Sequence, residues 1–150
     1  MIHVYLDTSV FGGYFDAEFN AATIEFFERI DSGYILPYSS LEVLKEIQRA
    51  PVHVLNLYDS YRDKMSFIRI DEQAIRLARL YITEKALTEK SGVDALHIAL
   101  ASCNKLDLIV SWNFKHIVNY DRIRLFNATN LKYGFASIDI RSPLELLKAI

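Results

Sequence analysis

Residues 2–7 read IHVYLD, an apolar strand that ends on a carboxylate. Residues 107–113 read DLIVSWN, a second apolar run followed by Ser111, Trp112 and Asn113. Short continuous apolar runs suit strands buried on both faces, as in a parallel sheet. Working outward, residues 34–37 form a short strand that Pro37 should stop, and residues 66–70 (SFIRI) a third. Residues 107–111 make a fourth, and residues 136–140 a fifth. Helices are expected between them. The first covers 21–31, capped by Asn20 and ended by Gly33; a second runs from Ser39 or Ser40 to Arg49 and stops at Pro51. Further helices are expected over 52–63, 72–87, 93–104 and much of 115–132, and Pro143 opens a last short one. The segment around Gly12 and Gly13 reads as a loop. Strands alternating with helices imply an α/β fold: a single three-layer domain, with a parallel sheet of about five strands and helices on both faces.

In such sheets ligands sit beyond the carboxyl ends of the strands, near the point where strand order reverses. Polar residues at strand ends therefore carry the functional reading. Asp7 follows VYL directly, with Thr8 and Ser9 adding hydroxyls; its bland role would be to start a turn or bond a backbone amide. Asn113 follows the fourth strand on what should be the same edge, and it too can be a plain turn residue. Glu42 has a structural account in a Ser39-x-x-Glu42 capping box, whereas Glu46, one turn on, has none and borders an apolar stripe. Asp94 opens a helix, VDALHIALASCN, that is apolar on nearly every side. Ser91 and Asp94 fit capping spacing, yet a charge at the mouth of a buried helix needs a partner. His97, one turn further, reads as a core histidine outside the site. If the sheet gathers Asp7, Glu46, Asp94 and Asn113 at one rim, three carboxylates and an amide make a hard oxygen-lined site. Such a site suits Mg²⁺ or Mn²⁺, because unpaired carboxylates this close repel one another.

Composition sets the outer limits. The chain has 150 residues, 51% of them hydrophobic, which matches one domain with a sizeable core. A net charge of −2 gives no general basic surface, so any nucleic-acid partner needs a local patch or a bound cation. Cys103 is the only cysteine, so no disulfide forms within the chain. With no signal-like N-terminus and no apolar run long enough for a bilayer, a cytoplasmic protein without a membrane span is expected.

The motifs in their order resemble the PIN domain, a family of metal-dependent nucleases that includes VapC-type toxins. VYLDTSVFGGYFD resembles the family's first strand with its leading acid, here Asp7. SLEVLKE resembles its Ser followed six residues later by Glu, here Ser40 and Glu46. VDALHIALA resembles the helix that carries the next acid, here Asp94. DLIVSWNFKHI resembles the segment after the fourth strand, where Asn113 stands in place of the usual acid. The resemblance implies Asp7, Glu46 and Asp94 as metal ligands and Asn113 as a fourth catalytic position, with Mg²⁺ or Mn²⁺ as cofactor. It further implies single-stranded RNA as substrate, a homodimer and an antitoxin partner.

Other classes fit less well. A nucleotide-binding domain should show a glycine fingerprint after the first strand, and only Gly12 and Gly13 occur there. An Asp-nucleophile phosphatase should show D-x-D, but Ser9 stands two residues after Asp7. A non-catalytic binding module remains the alternative, favoured by the missing acid at Asn113. Candidate phosphate contacts are Lys45, Arg49, Lys90, Lys115, Arg122 and Arg124, each of which can equally be a solvated charge. The aromatic residues Tyr14, Phe15, Phe19, Tyr58, Tyr61, Tyr133 and Phe135 suggest a dimer face or an antitoxin groove beyond what one core absorbs, or else ordinary core and scattered surface residues.

Overall fold

The computed structural model describes residues 1–150. Five parallel strands form one sheet: β1 (Ile2–Leu6), β2 (Ile35–Ser40), β3 (Ser66–Ile68), β4 (Leu108–Val110) and β5 (Asp139–Arg141). Their order is β3-β2-β1-β4-β5. Val4, Tyr5 and Leu6 have no exposed surface, as expected for a central strand covered on both faces. The order reverses beside β1, so the junction of β1 and β4 is the topological switch point.

Eight helices complete the domain: α1 (Thr8–Gly13), α2 (Asn20–Asp31), α3 (Leu41–Gln48), α4 (Val52–Tyr61), α5 (Glu72–Thr83), α6 (Gly92–Cys103), α7 (Tyr120–Lys132) and α8 (Pro143–Ala149). They pack in two groups, α1 to α4 with α8, and α5 to α7. This grouping follows from right-handed crossovers: connections running one way from β1 put helices on one face, and those running back past β1 put them on the other.

Several local expectations are corrected. Gly12 and Gly13 lie in α1 rather than in a loop, because Val10 and Phe11 turn into the core as a short helix. Strand β2 passes through Pro37 and ends at Ser40. Pro37 pairs with Val4, while β3 joins only from Tyr38, so one side of β2 is unpaired where the N–H is missing. Helix α5 stops at Thr83 rather than 87, since Lys85 adopts φ 62° and turns Ala86 and Leu87 back into the core. Helix α7 begins only at Tyr120. Asn113 holds the preceding turn, accepting from Ile117 N and Val118 N, and Asn119 caps Arg122 N. Strand β5 is shifted to Asp139–Arg141.

The aromatic surplus is largely core. Tyr58 is buried, and Tyr14, Tyr61 and Phe135 pack against the central cluster, leaving Phe15 the more exposed at 45%. No helix is long and apolar enough to cross a membrane.

Candidate active site

Asp7 leaves the end of β1 beside β4; its backbone N–H donates to Val110 O at 3.0 Å. Its side chain is nearly buried, at 7% exposure, and one oxygen is fully engaged. Oδ2 accepts from Ser9 Oγ at 2.6 Å and from Ser111 Oγ at 2.8 Å. Each serine is oriented in turn by a backbone donor after β4: Trp112 N–H to Ser9 Oγ at 2.9 Å, and Asn113 N–H to Ser111 Oγ at 3.0 Å. The switch point thus fixes the rotamer of Asp7. Oδ1 faces His97 Nε2 at 3.9 Å, beyond hydrogen-bond reach.

Glu46 approaches from α3. Its Oε1 accepts from Thr8 Oγ1 at 3.0 Å and meets His97 Nε2 at 2.6 Å. Asp7 and Glu46 therefore lie within 3.9 Å of the same nitrogen. They cannot be separated by the ~10 Å that would prevent them sharing a hard cation at its usual oxygen distances.

Asp94 stands in the first turn of α6. The capping interaction with Ser91 does not form, so its carboxylate is not used on the helix end. The Ser39–Glu42 box is also absent: Ser40 caps α3 through Val43 N, Ser39 pairs with the Tyr58 hydroxyl, and Glu42 meets Lys45.

The electrostatics tie the three acids together. Burial, reinforced by the charges of Asp7 and Glu46, raises the Asp94 carboxyl above its usual range, against opposing effects of His97 and His116. Burial also works against ionised Glu46, but the hydrogen bond and charge of His97, with Thr8 adding to them, hold its carboxyl below the usual range. For His97, burial opposes a charged ring, but Glu46, Asp7 and Asp94 outweigh it and raise its pKa.

Because folding raises the Asp94 pKa, its contribution to stability is most favourable while the carboxyl is protonated and falls as pH rises through the folded value. Metal-free Asp94→Asn is therefore expected to melt higher than the unmodified protein at neutral pH. At this chain length ~1 kcal/mol of relieved repulsion moves the midpoint about 2–4 °C. The gap should close as pH falls toward the ordinary Asp range, near ~3.9. Melting curves at several pH values check this; a lower midpoint for the variant at pH 7 would contradict the repulsion.

No three His, Cys, Asp or Glu side chains converge as a ready-made metal cage. The donor set still fits a hard divalent ion. Asp7 keeps Oδ1 free, Glu46 keeps Oε2 free, and no hydrogen bond acts on the Asp94 carboxyl. Mg²⁺ in particular binds through one or two carboxylates with water and substrate phosphate completing its shell, rather than through an all-protein cage.

Asn113 lies at the same edge through its bond to Ser111, but its Oδ1 accepts from His116 N–H at 3.0 Å. That is a turn-capping role, and it leaves the amide Nδ2 as the free group. Two histidines were not legible as site residues. His97, read as a core residue, touches Glu46, and His116 acts on Asp94 with its Nδ1 buried and unpartnered. Among the candidate phosphate contacts, Arg122 is used on the Ala86 carbonyl, at 2.7 Å.

A family model described as the PIN domain matches residues 4–117. No curated protein matches the sequence. Among solved structures, a chain of the VapBC2 complex from Rickettsia felis, crystallised bound to a DNA fragment from its promoter, superposes with a TM-score of 0.63. The match covers 94% of this chain and 98% of that one at 13% identity, a likeness of fold.

Proposed function

Because this chain belongs to the PIN domain family, whose members are generally nucleases, we propose that it is a ribonuclease that hydrolyses single-stranded RNA with Mg²⁺ or Mn²⁺. The observation that carries this reading is the meeting of Asp7 and Glu46 within 3.9 Å of one nitrogen at the switch point, with Asp94 electrostatically coupled to both. Asp7, Glu46 and Asp94 would hold the ion, which supplies an activated water and charge stabilisation at the phosphoryl group. Ser9 and Ser111 orient Asp7 from the side of Oδ2. The amide Nδ2 of Asn113, with Oδ1 held by the His116 N–H, would donate to a phosphate oxygen. Exposed cations such as Lys45 would contact the RNA backbone, so affinity should fall with salt.

RNA cleavage measured with Mg²⁺, with Mn²⁺ and with EDTA tests the proposal directly. Activity with either ion and none in EDTA is expected; cleavage undiminished by EDTA would refute it. The metal count gives a sharper test. Three carboxylates compensate one divalent ion, while the neutral amide at Asn113 leaves a poorer field for a second. One tight site is expected, and Asn113→Asp should tighten a second by roughly tenfold, ~1.4 kcal/mol. Calorimetric titration of both proteins checks this, and two equally tight sites in the unmodified chain would contradict it.

A second reading, a non-catalytic RNA- or protein-binding module, draws on Glu46 being paired with His97 and on the lack of a ready cage. RNA binding by folded protein that shows neither Mn²⁺ binding nor cleavage would favour it. The likeness to a chain of the VapBC2 complex supports a toxin role with an antitoxin partner. Cleavage suppressed by the product of a neighbouring gene is the expected sign. A homodimer is also proposed, with the exposed aromatic Phe15 among the residues that would lie at its face. Light scattering that shows only monomer at high concentration would remove it.

A further inference from the structure

Tyr5, Ser40 and His97 have no exposed surface, yet all three carry polar groups. Those groups form a single chain. The Tyr5 hydroxyl lies 2.8 Å from Ser40 Oγ and 2.6 Å from His97 Nδ1, and His97 Nε2 lies 2.6 Å from Glu46 Oε1. We propose that His97 and Tyr5 are positioning residues that hold Glu46 at a set place relative to Asp7, leaving its second carboxylate oxygen for the divalent cation. This inference rests on the metal-nuclease reading of the site.

The connectivity shows why the chain acts on geometry. It begins on α3, where Ser40 is the N-cap and accepts from Val43 N. It crosses β1 at Tyr5, two residues before Asp7, then α6 at His97, and returns to α3 at Glu46. The loop closes on the same helix and passes through the strand that carries Asp7. A shift of α3 against β1 would have to break at least one of its bonds.

The chemistry also assigns direction. An ionised carboxylate only accepts, so His97 Nε2 donates to Glu46. With both ring nitrogens partnered, the imidazole cannot turn or flip without losing two short bonds. Thr8 Oγ1 donates to the same Oε1, so both protein donors fall on one oxygen and Oε2 stays open. Hydrogen-bonded partners of this kind orient metal-binding side chains, and their loss lowers metal affinity by about 10–100-fold. A buried histidine that served only packing could be replaced by an apolar side chain without cost at the carboxylate. Here the buried chain ends on a carboxylate that is 38% exposed at the candidate site.

The test is Mn²⁺ affinity, measured calorimetrically on the 150-residue protein without RNA, alongside thermal melting. His97→Ala is expected to weaken Mn²⁺ binding by roughly 10–100-fold. His97→Gln, which returns a donor to Glu46, should recover most of that loss, a rescue that packing alone would not produce. Tyr5→Phe removes one hydroxyl, keeps the ring, and should weaken binding in the same direction. It serves as the decisive variant if His97→Ala does not fold. Folded His97→Ala or Tyr5→Phe protein that binds Mn²⁺ like the unmodified chain would overturn the proposal. Equal losses in the Ala and Gln variants would do the same. Asp7→Asn is the control that separates the two levels of argument. If it abolishes Mn²⁺ binding while the His97 and Tyr5 variants bind normally, only the positioning role fails. If it binds and cleaves normally, the metal reading fails and the positioning role falls with it.

Discussion

Asp7→Asn is expected to abolish RNA cleavage, by on the order of 10³-fold or more, about 4 kcal/mol of transition-state stabilisation. The substitution keeps size and shape, and the amide oxygen can still accept from Ser9 and Ser111, so the turn after β1 should survive. What is lost is one full negative charge at the oxygen that faces His97 and, by the proposed function, the cation. An ion held by three carboxylates would be held by two, with a neutral amide at the most buried position. Removing that charge also relieves Asp94, so the melting midpoint should not fall. Single-turnover cleavage with Mn²⁺, paired with a melting curve, decides the matter. Full activity in a folded Asp7→Asn protein would remove Asp7 from the chemistry.

Gly13→Ala should destabilise the protein even though alanine is the better helix former. In the interior of a helix the exchange normally stabilises by up to ~1 kcal/mol. At this position an added Cβ would stand 2.5 Å from Trp112 Nε1, 2.6 Å from its Cδ1 and 3.0 Å from Thr23 Oγ1. The indole has little freedom to yield. Its N–H donates to Thr23 Oγ1 at 2.9 Å, its face stacks on Phe19 with centroids 4.2 Å apart, and Thr23 is bonded to the Phe19 carbonyl. Overpacking of this kind costs ~1–3 kcal/mol, so the clash outweighs the propensity gain. The net loss should lower the midpoint by several degrees, at about 2–4 °C per kcal/mol. Cleavage should fall as well, since the Trp112 backbone N–H orients Ser9, which in turn orients Asp7. A raised midpoint would show that Trp112 relaxes freely and that its packing does not set the site.

Much of this fold is local and therefore legible along the chain. IHVYLD and DLIVSWN announce two buried strands with polar ends, and both lie where expected, side by side at the switch point. Pro51 and Pro143 mark helix boundaries because a missing N–H acts on its own neighbours. At two places where expectation and structure part, contact with the rest of the fold decided. Pro37 sits inside β2 because Val4 pairs with it, not because of the residues flanking it. Ala86 and Leu87 continue a helical period, yet Lys85 turns the chain so that both enter the core.

The candidate site divides in the same way. Asp7, Glu46, Asp94 and Asn113 could be named because each carries polar chemistry at the end or edge of an apolar element, a property of its own few neighbours. His97 could not. Inside an apolar helix it has the pattern of an ordinary core residue, and its partners Tyr5 and Glu46 lie 92 and 51 positions away. The same holds for the orientation of Asp7, which depends on Ser111 across 104 positions. Hydrophobic period, caps and strand ends depend on neighbours within one or two turns, and the sequence by itself determined these. The strand order that sets β4 against β1, and with it which oxygens remain free for a cation, depends on packing between distant segments, and only the tertiary structure decided it.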